Sequence, residues 1–98
     1  MSINEITEKI APILREYRIK KASIFGSVSR GDDTPESDVD LLVEFDPQTK
    51  MGIFEYVHMR EKIEKLLNKK VDVVAEDRLR EVFRAYIKDD LKIIYERR

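Results

Sequence analysis

Apolar residues in the first seventeen positions recur at helical spacing: Ile3, Ile6, Ile10, Ile13, Leu14 and Tyr17. Ser2, followed three residues on by Glu5, has the form of a capping box and predicts a helix start. Pro12 falls inside this stripe, where it either kinks the helix or restarts it. The pattern then shortens. "KASIF" (21–25) is a brief apolar run that enters Gly26, as a strand enters a turn. "VSR" before Gly31 predicts one short helical turn with a glycine exit. "GDDTPES" (31–37) is dense in turn formers. "DVDLLVEF" (38–45) predicts a second strand and "DPQTKMG" (46–52) a loop. Ile53, Phe54, Val57, Ile63, Leu66 and Leu67 predict an amphipathic helix. "KVDVVA" (70–75) predicts a third strand, and Leu79, Val82, Phe83, Tyr86 and Ile87 mark a helix over 78–90. "LKIIY" (91–95) adds a last strand. The order α-β-β-α-β-α-β predicts an α/β domain with a helix-covered sheet. The helix between strands two and three permits them to run parallel.

Composition narrows the class. At 98 residues the chain is expected to be one domain, 1–98, with a single modest core. An apolar share of 42% is enough for that core and excludes a disordered composition. Nineteen basic residues against 20 acidic ones, net −1, argue against general nucleic-acid binding, which needs a basic excess. The absence of cysteine excludes disulfides and thiolate zinc sites and suits a reducing compartment. No apolar run approaches the ~20 residues of a membrane span, and "MSINEITEKI" has no signal-peptide core. A cytoplasmic protein without membrane attachment is expected.

The second strand carries an anomaly. Asp38 and Asp40 stand one residue apart where it begins, although aspartate is depleted in strands and like charges repel. Strand alternation puts Asp38, Asp40 and Leu42 on one face and Val39, Leu41 and Val43 on the other. Two carboxylates about 6.7 Å apart at Cα can share hard divalent cations, as two-metal phosphoryl-transfer sites do. Gly26 and Ser27 supply a phosphate seat: glycine lets backbone N–H groups approach closely, and the serine adds a hydroxyl. Arg30, one turn on, could reach a phosphate or pair with Asp32, Asp33 or Glu36. Asp72, between Val71 and Val73, completes a three-carboxylate cluster if its strand lies beside the second. Alone, each feature also reads as solvated surface charge. Ser37 reads as a turn cap, His58 as a lone surface or boundary residue, and the tyrosines as packing residues. The charge runs "REKIEK" and "DRLREVFR" read as solvated helix faces.

Gly26-Ser27, ten intervening residues, then Asp38-Val39-Asp40 resembles the GS-x10-DxD signature of the nucleotidyltransferase superfamily that includes DNA polymerase beta. The nearer resemblance is to its minimal, MNT-type members, whose two marked segments "FGSVSRGDDTPESDVDLLVEF" and "KVDVV" match in order. The resemblance covers nearly the whole chain. It implies a mixed sheet flanked by helices, ATP as substrate with two Mg²⁺ ions, and AMP transfer with release of pyrophosphate. By the same resemblance Asp38, Asp40 and Asp72 bind metal, and Gly26, Ser27 and Arg30 serve the nucleotide. It also implies a partner, a HEPN ribonuclease toxin adenylylated on a tyrosine and thereby silenced. Two alternatives stand beside this. One is nucleotidyl transfer to a small molecule or an RNA end. The other is an antitoxin that neutralises by binding alone.

Overall fold

The computed structural model describes residues 1–97. Helix α1 spans Ile3–Glu16, and Ser2 caps it as expected. The Glu5 N–H donates to the Ser2 hydroxyl at 3.1 Å, and the Ser2 N–H donates to the Glu5 carboxylate at 3.3 Å. Two of the backbone donors that every helix start leaves unpaired are thus satisfied. Pro12 neither breaks nor restarts the helix. It is exposed, as is Glu8 one turn before it. The carbonyl that the proline leaves without a donor therefore lies on the wet side, where water replaces the missing partner. Replacing Ser2 by alanine is expected to cost about 1 kcal/mol, read as a fall of roughly 4–8 °C in Tm by circular dichroism.

Next come β1 (Ile19–Phe25), α2 (Gly26–Arg30), β2 (Val39–Phe45), α3 (Ile53–Leu67), β3 (Val71–Ala75), a 3-10 turn (Glu76–Arg78), α4 (Glu81–Ile87) and β4 (Lys92–Glu96). The sheet order is β3-β2-β1-β4. Strand β1 runs antiparallel to β2 and β4, while β2 and β3 are parallel. The sheet is therefore mixed, and α3 is the crossover that parallel neighbours require. Strand β1 starts two residues before the expected run because Ile19, fully buried, pairs with Phe45 across β2. Among the described residues no helix is long and apolar enough to cross a membrane.

The two faces of the sheet are covered unequally. On one, Ala22, Ile24, Val39, Leu41, Val43, Val71 and Val73 pack under Ile6, Ile10 and Leu14 of α1 and Met59, Ile63 and Leu67 of α3. These side chains make the main core, and each of them larger than Ala22 contributes on the order of 1.5–3 kcal/mol by leaving water. The other face holds a small cluster of Phe25, Leu42 and Ile87, with Val74, Leu79 and Leu91 partly buried beside it.

Two helices depart from the expected pattern. In α3 the buried stripe is Met59, Ile63, Leu67 at four-residue spacing, whereas Ile53 and Phe54 are exposed. Helix α4 is shorter than the expected 78–90 span and buries only Ile87. Val82 and Tyr86 stand in solvent at 84% and 80% exposure, so much of that apolar stripe is surface. The thin cover leaves the sheet end that carries Asp40 and Asp72 accessible.

Candidate active site

Strand alternation makes Val39 and Leu41 core residues, so Asp40 must face the thinly covered side. Register does the rest. Val39 pairs with Val71 and Asp40 with Asp72 in the parallel β2–β3 ladder. Paired positions of parallel strands point to the same face about 4.8 Å apart. The expectation that Asp72 joins the face of Asp40 is met. Asp38 lies one residue before β2 and is exposed, as is Asp72, while Asp40 is half-buried.

The glycine-serine bend meets this pair. Phe25, the last residue of β1, is the cross-strand partner of Asp40. Gly26 follows at φ +78°, a left-handed conformation that side chains disfavour. A Cβ on Gly26 would collide with the Asp40 carboxylate. Glycine is thus required twice over, by backbone and by space. The bend opens α2, and Gly31 closes it at φ +80°.

The bend is tethered to the far edge of the sheet. Arg30 donates to Asp32 at 3.2 Å and to Asp90 at 2.9 Å. Lys92 donates to the Ser29 carbonyl at 2.8 Å, and the buried Ser29 hydroxyl donates to the Asp90 carbonyl. Of the two roles open to Arg30 in the sequence, the structure displays carboxylate pairing. Asp32 was among the foreseen partners; Asp90, sixty residues away, was not.

Burial first, then the charge of Asp72, then that of Asp38, pushes the Asp40 carboxyl above its ordinary value of 3.8, with Arg30 pulling the other way. The three acids therefore feel one another. They do not close into a ready-made cage: among the described residues no three such side chains are gathered closely enough to hold a metal ion. Mutual repulsion and the position of Asp38 outside the strand account for the open arrangement. Next to Asp72, the half-buried Tyr56 donates its hydroxyl to the Val73 carbonyl at 2.6 Å and ties α3 to β3. Ser37 accepts from the Thr34 N–H at 2.9 Å, the turn-capping role expected of it.

One feature of the site had no place in the sequence reading. Arg60, Lys65, Lys69 and Lys70 line an open groove whose walls also include Asp38, Glu64 and Asp72. The "REKIEK" run looks like an ordinary solvated helix face, and the pair Lys69-Lys70 directly before "VDVV" was its one visible signal.

Comparison with known proteins agrees with this geometry. The family described as polymerase beta, nucleotidyltransferase, matches residues 8–98. MJ1379 of Methanocaldococcus jannaschii, whose name carries a provisional assignment as a protein adenylyltransferase, is 36% identical over 91 residues, spanning 92% of this chain and 88% of that protein. Among solved structures, a toxin–antitoxin complex with AMP-PNP superposes with a TM-score of 0.78 at 21% identity, over 94% of this chain and 74% of that one. A tri-AMPylated Shewanella oneidensis HEPN toxin in complex with its MNT antitoxin gives 0.72 at 18% identity, over 97% of this chain and 73% of that one. These likenesses in shape show the fold, and the family match shows descent. The chain belongs to the polymerase beta nucleotidyltransferase family, among its minimal, MNT-type protein adenylyltransferases.

Proposed function

We propose that this protein transfers AMP from ATP to a tyrosine hydroxyl of a HEPN-type ribonuclease toxin and so acts as that toxin's antitoxin. The observation that carries the reading is the pairing of Asp40 with Asp72 on one sheet face, with the Asp40 carboxylate seated against the Gly26 bend. The AMP-PNP complex and the AMPylated HEPN toxin among the structural neighbours support the choice of nucleotide, transferred group and partner. The cytoplasm suits a chain without cysteine.

The donor set fits magnesium. The acids offer hard oxygen ligands, and the upward pull of Asp72 and Asp38 on Asp40 marks a surplus of negative charge that a cation would relieve. Asp38, Asp40 and Asp72 would hold two Mg²⁺ ions, which when bound supply charge neutralisation to the triphosphate and the departing pyrophosphate. The chain's own groups do the positioning. The backbone around Gly26 and the Ser27 hydroxyl hold the phosphates, and Arg30 fixes the bend from behind through Asp90. The acceptor oxygen bonds to the α-phosphorus as the bond to the β-phosphate oxygen breaks, and that electron pair leaves with pyrophosphate. The hydroxyl proton passes to the Asp72 carboxylate and on to solvent. Holding the two reactants in line accounts for most of the acceleration.

The test is intact-mass spectrometry of a purified HEPN toxin encoded beside this chain, after incubation with the protein, ATP and Mg²⁺. A gain of one or more AMP groups on a tyrosine, lost with Asp38→Ala, is the expected result. Neutralisation of the toxin with no mass gain would instead establish an antitoxin that works by binding alone.

A further inference from the structure

Beyond β3, at the edge of the sheet, an open groove of about 770 Å³ runs between the C-terminal half of α3 and the start of β3. Arg60, Lys65, Lys69 and Lys70 line it, and Asp38, Asp72 and Glu64 stand in the same walls, the last accepting from the Val71 N–H at 2.9 Å. Lys69 donates to the Pro35 carbonyl at 3.0 Å. Among the described residues none of these four cations is engaged in an ion pair, so each is available to a ligand. Four cations face three carboxylates in this lining; with Asp38 and Asp72 given to metal as proposed above, Glu64 alone would remain against the four, and the balance would be positive. Cations left unpaired along a concave surface raise the local concentration of an anionic ligand.

Strand order indicates which reactant that ligand belongs to. The Gly26–Ser27 bend lies at the end of β1, on one side of Asp40; the groove lies past β3, on the other. An in-line displacement at phosphorus needs the nucleophile and the departing pyrophosphate on opposite sides. With the phosphates at the bend, the nucleophile arrives from the side of Asp72 and the groove. Among the described residues the lining contains no aromatic side chain, so a nucleic-acid end would find no surface there on which to stack its bases.

We infer that this groove binds an acidic stretch of polypeptide flanking the acceptor hydroxyl, and that Lys65 and Lys70, both exposed, are specificity determinants for the protein acceptor. The inference rests on the adenylyltransferase reading and adds the charge of the sequence that the acceptor must carry.

The probes are labelled peptides with one tyrosine between runs of glutamate or between runs of lysine, a single-stranded oligonucleotide of matched negative charge, and ATP with Mg²⁺. Binding is followed by fluorescence anisotropy for the first three and by calorimetry for ATP, with wild type and Lys65→Glu/Lys70→Glu. The glutamate peptide is expected to bind wild type and to lose about tenfold in affinity in the double variant, while ATP affinity stays within about twofold. Lys65→Gln/Lys70→Gln, which introduces no new charge, is expected to lose about threefold and gives the same reading should the reversal variant fold poorly. Three results would overturn the inference: a glutamate peptide bound no better than its lysine counterpart, an equal loss of ATP affinity, or an oligonucleotide bound more tightly than the peptide. Failure of the underlying reading shows separately, as wild-type protein that neither binds ATP nor labels the toxin.

Discussion

Asp40→Asn is expected to lower AMP transfer by about 1000-fold or more while giving a protein that, in EDTA, melts higher than wild type. The two effects share one cause. Asp40 is half-buried, and its carboxyl is pushed up by that burial and by Asp72 and Asp38. An acid whose folded value exceeds its unfolded one binds its proton more tightly in the fold. Ionisation of Asp40 therefore opposes folding. The contribution of this group is most favourable below the ordinary value of 3.8, declines as pH rises through the window up to the folded value, and stays at its least favourable above it. Asparagine keeps the shape and removes the charge. The gain at neutral pH is below about 1 kcal/mol, because the carboxylate is only half-buried and water screens the repulsion. It should vanish below pH 3.8. Thermal melts of both proteins from acid to neutral pH, with transfer assayed in parallel, check the pair of expectations. A variant that melts lower at neutral pH, or that still transfers AMP, would contradict the assignment.

Gly26→Ala is expected to damage both fold and activity. The backbone there sits at φ +78°, which costs an L-residue about 1–2 kcal/mol, and the new methyl meets the Asp40 carboxylate. Either the bend shifts or the carboxylate does, and each displaces a group that the proposed reaction needs in place before phosphorus is attacked. Misplacement of that kind costs roughly 100-fold in rate, alongside a fall in Tm of several degrees. The collision can be isolated by a double-mutant cycle. In an Asp40→Ala background the methyl has nothing to strike, so Gly26→Ala should there cost only its backbone strain. Equal losses of stability in both backgrounds would show that the carboxylate plays no part.

Much of this was legible because alternation along a strand is a strict rule. With Val39, Leu41, Val71 and Val73 needed for a core, the aspartates between them had to face away from it, and "GS" before "DVD" and "VDV" placed a flexible bend among acids. The capping box at Ser2 and Glu5 was equally plain, being a local matter of three residues. What escaped was whatever depends on distant partners. Nothing near Arg30 names Asp90 as the carboxylate that holds it. Nothing in the α4 stripe tells that Val82 and Tyr86 face water, since that depends on how far a seven-residue helix can cover the sheet. The groove cations come from α3 and from the approach to β3, and only the crossover assembles them.

The ladder between β2 and β3 has a consequence for how the protein can fail. Slipping β3 by a single position would turn Val71 and Val73 out to water and drive Asp72 into the hydrocarbon beneath α3. The valines act as a proofreading device for the acids behind them: a molecule with the wrong alignment is also an unstable one, so misassembled copies are removed by unfolding and do not persist as inactive folded protein.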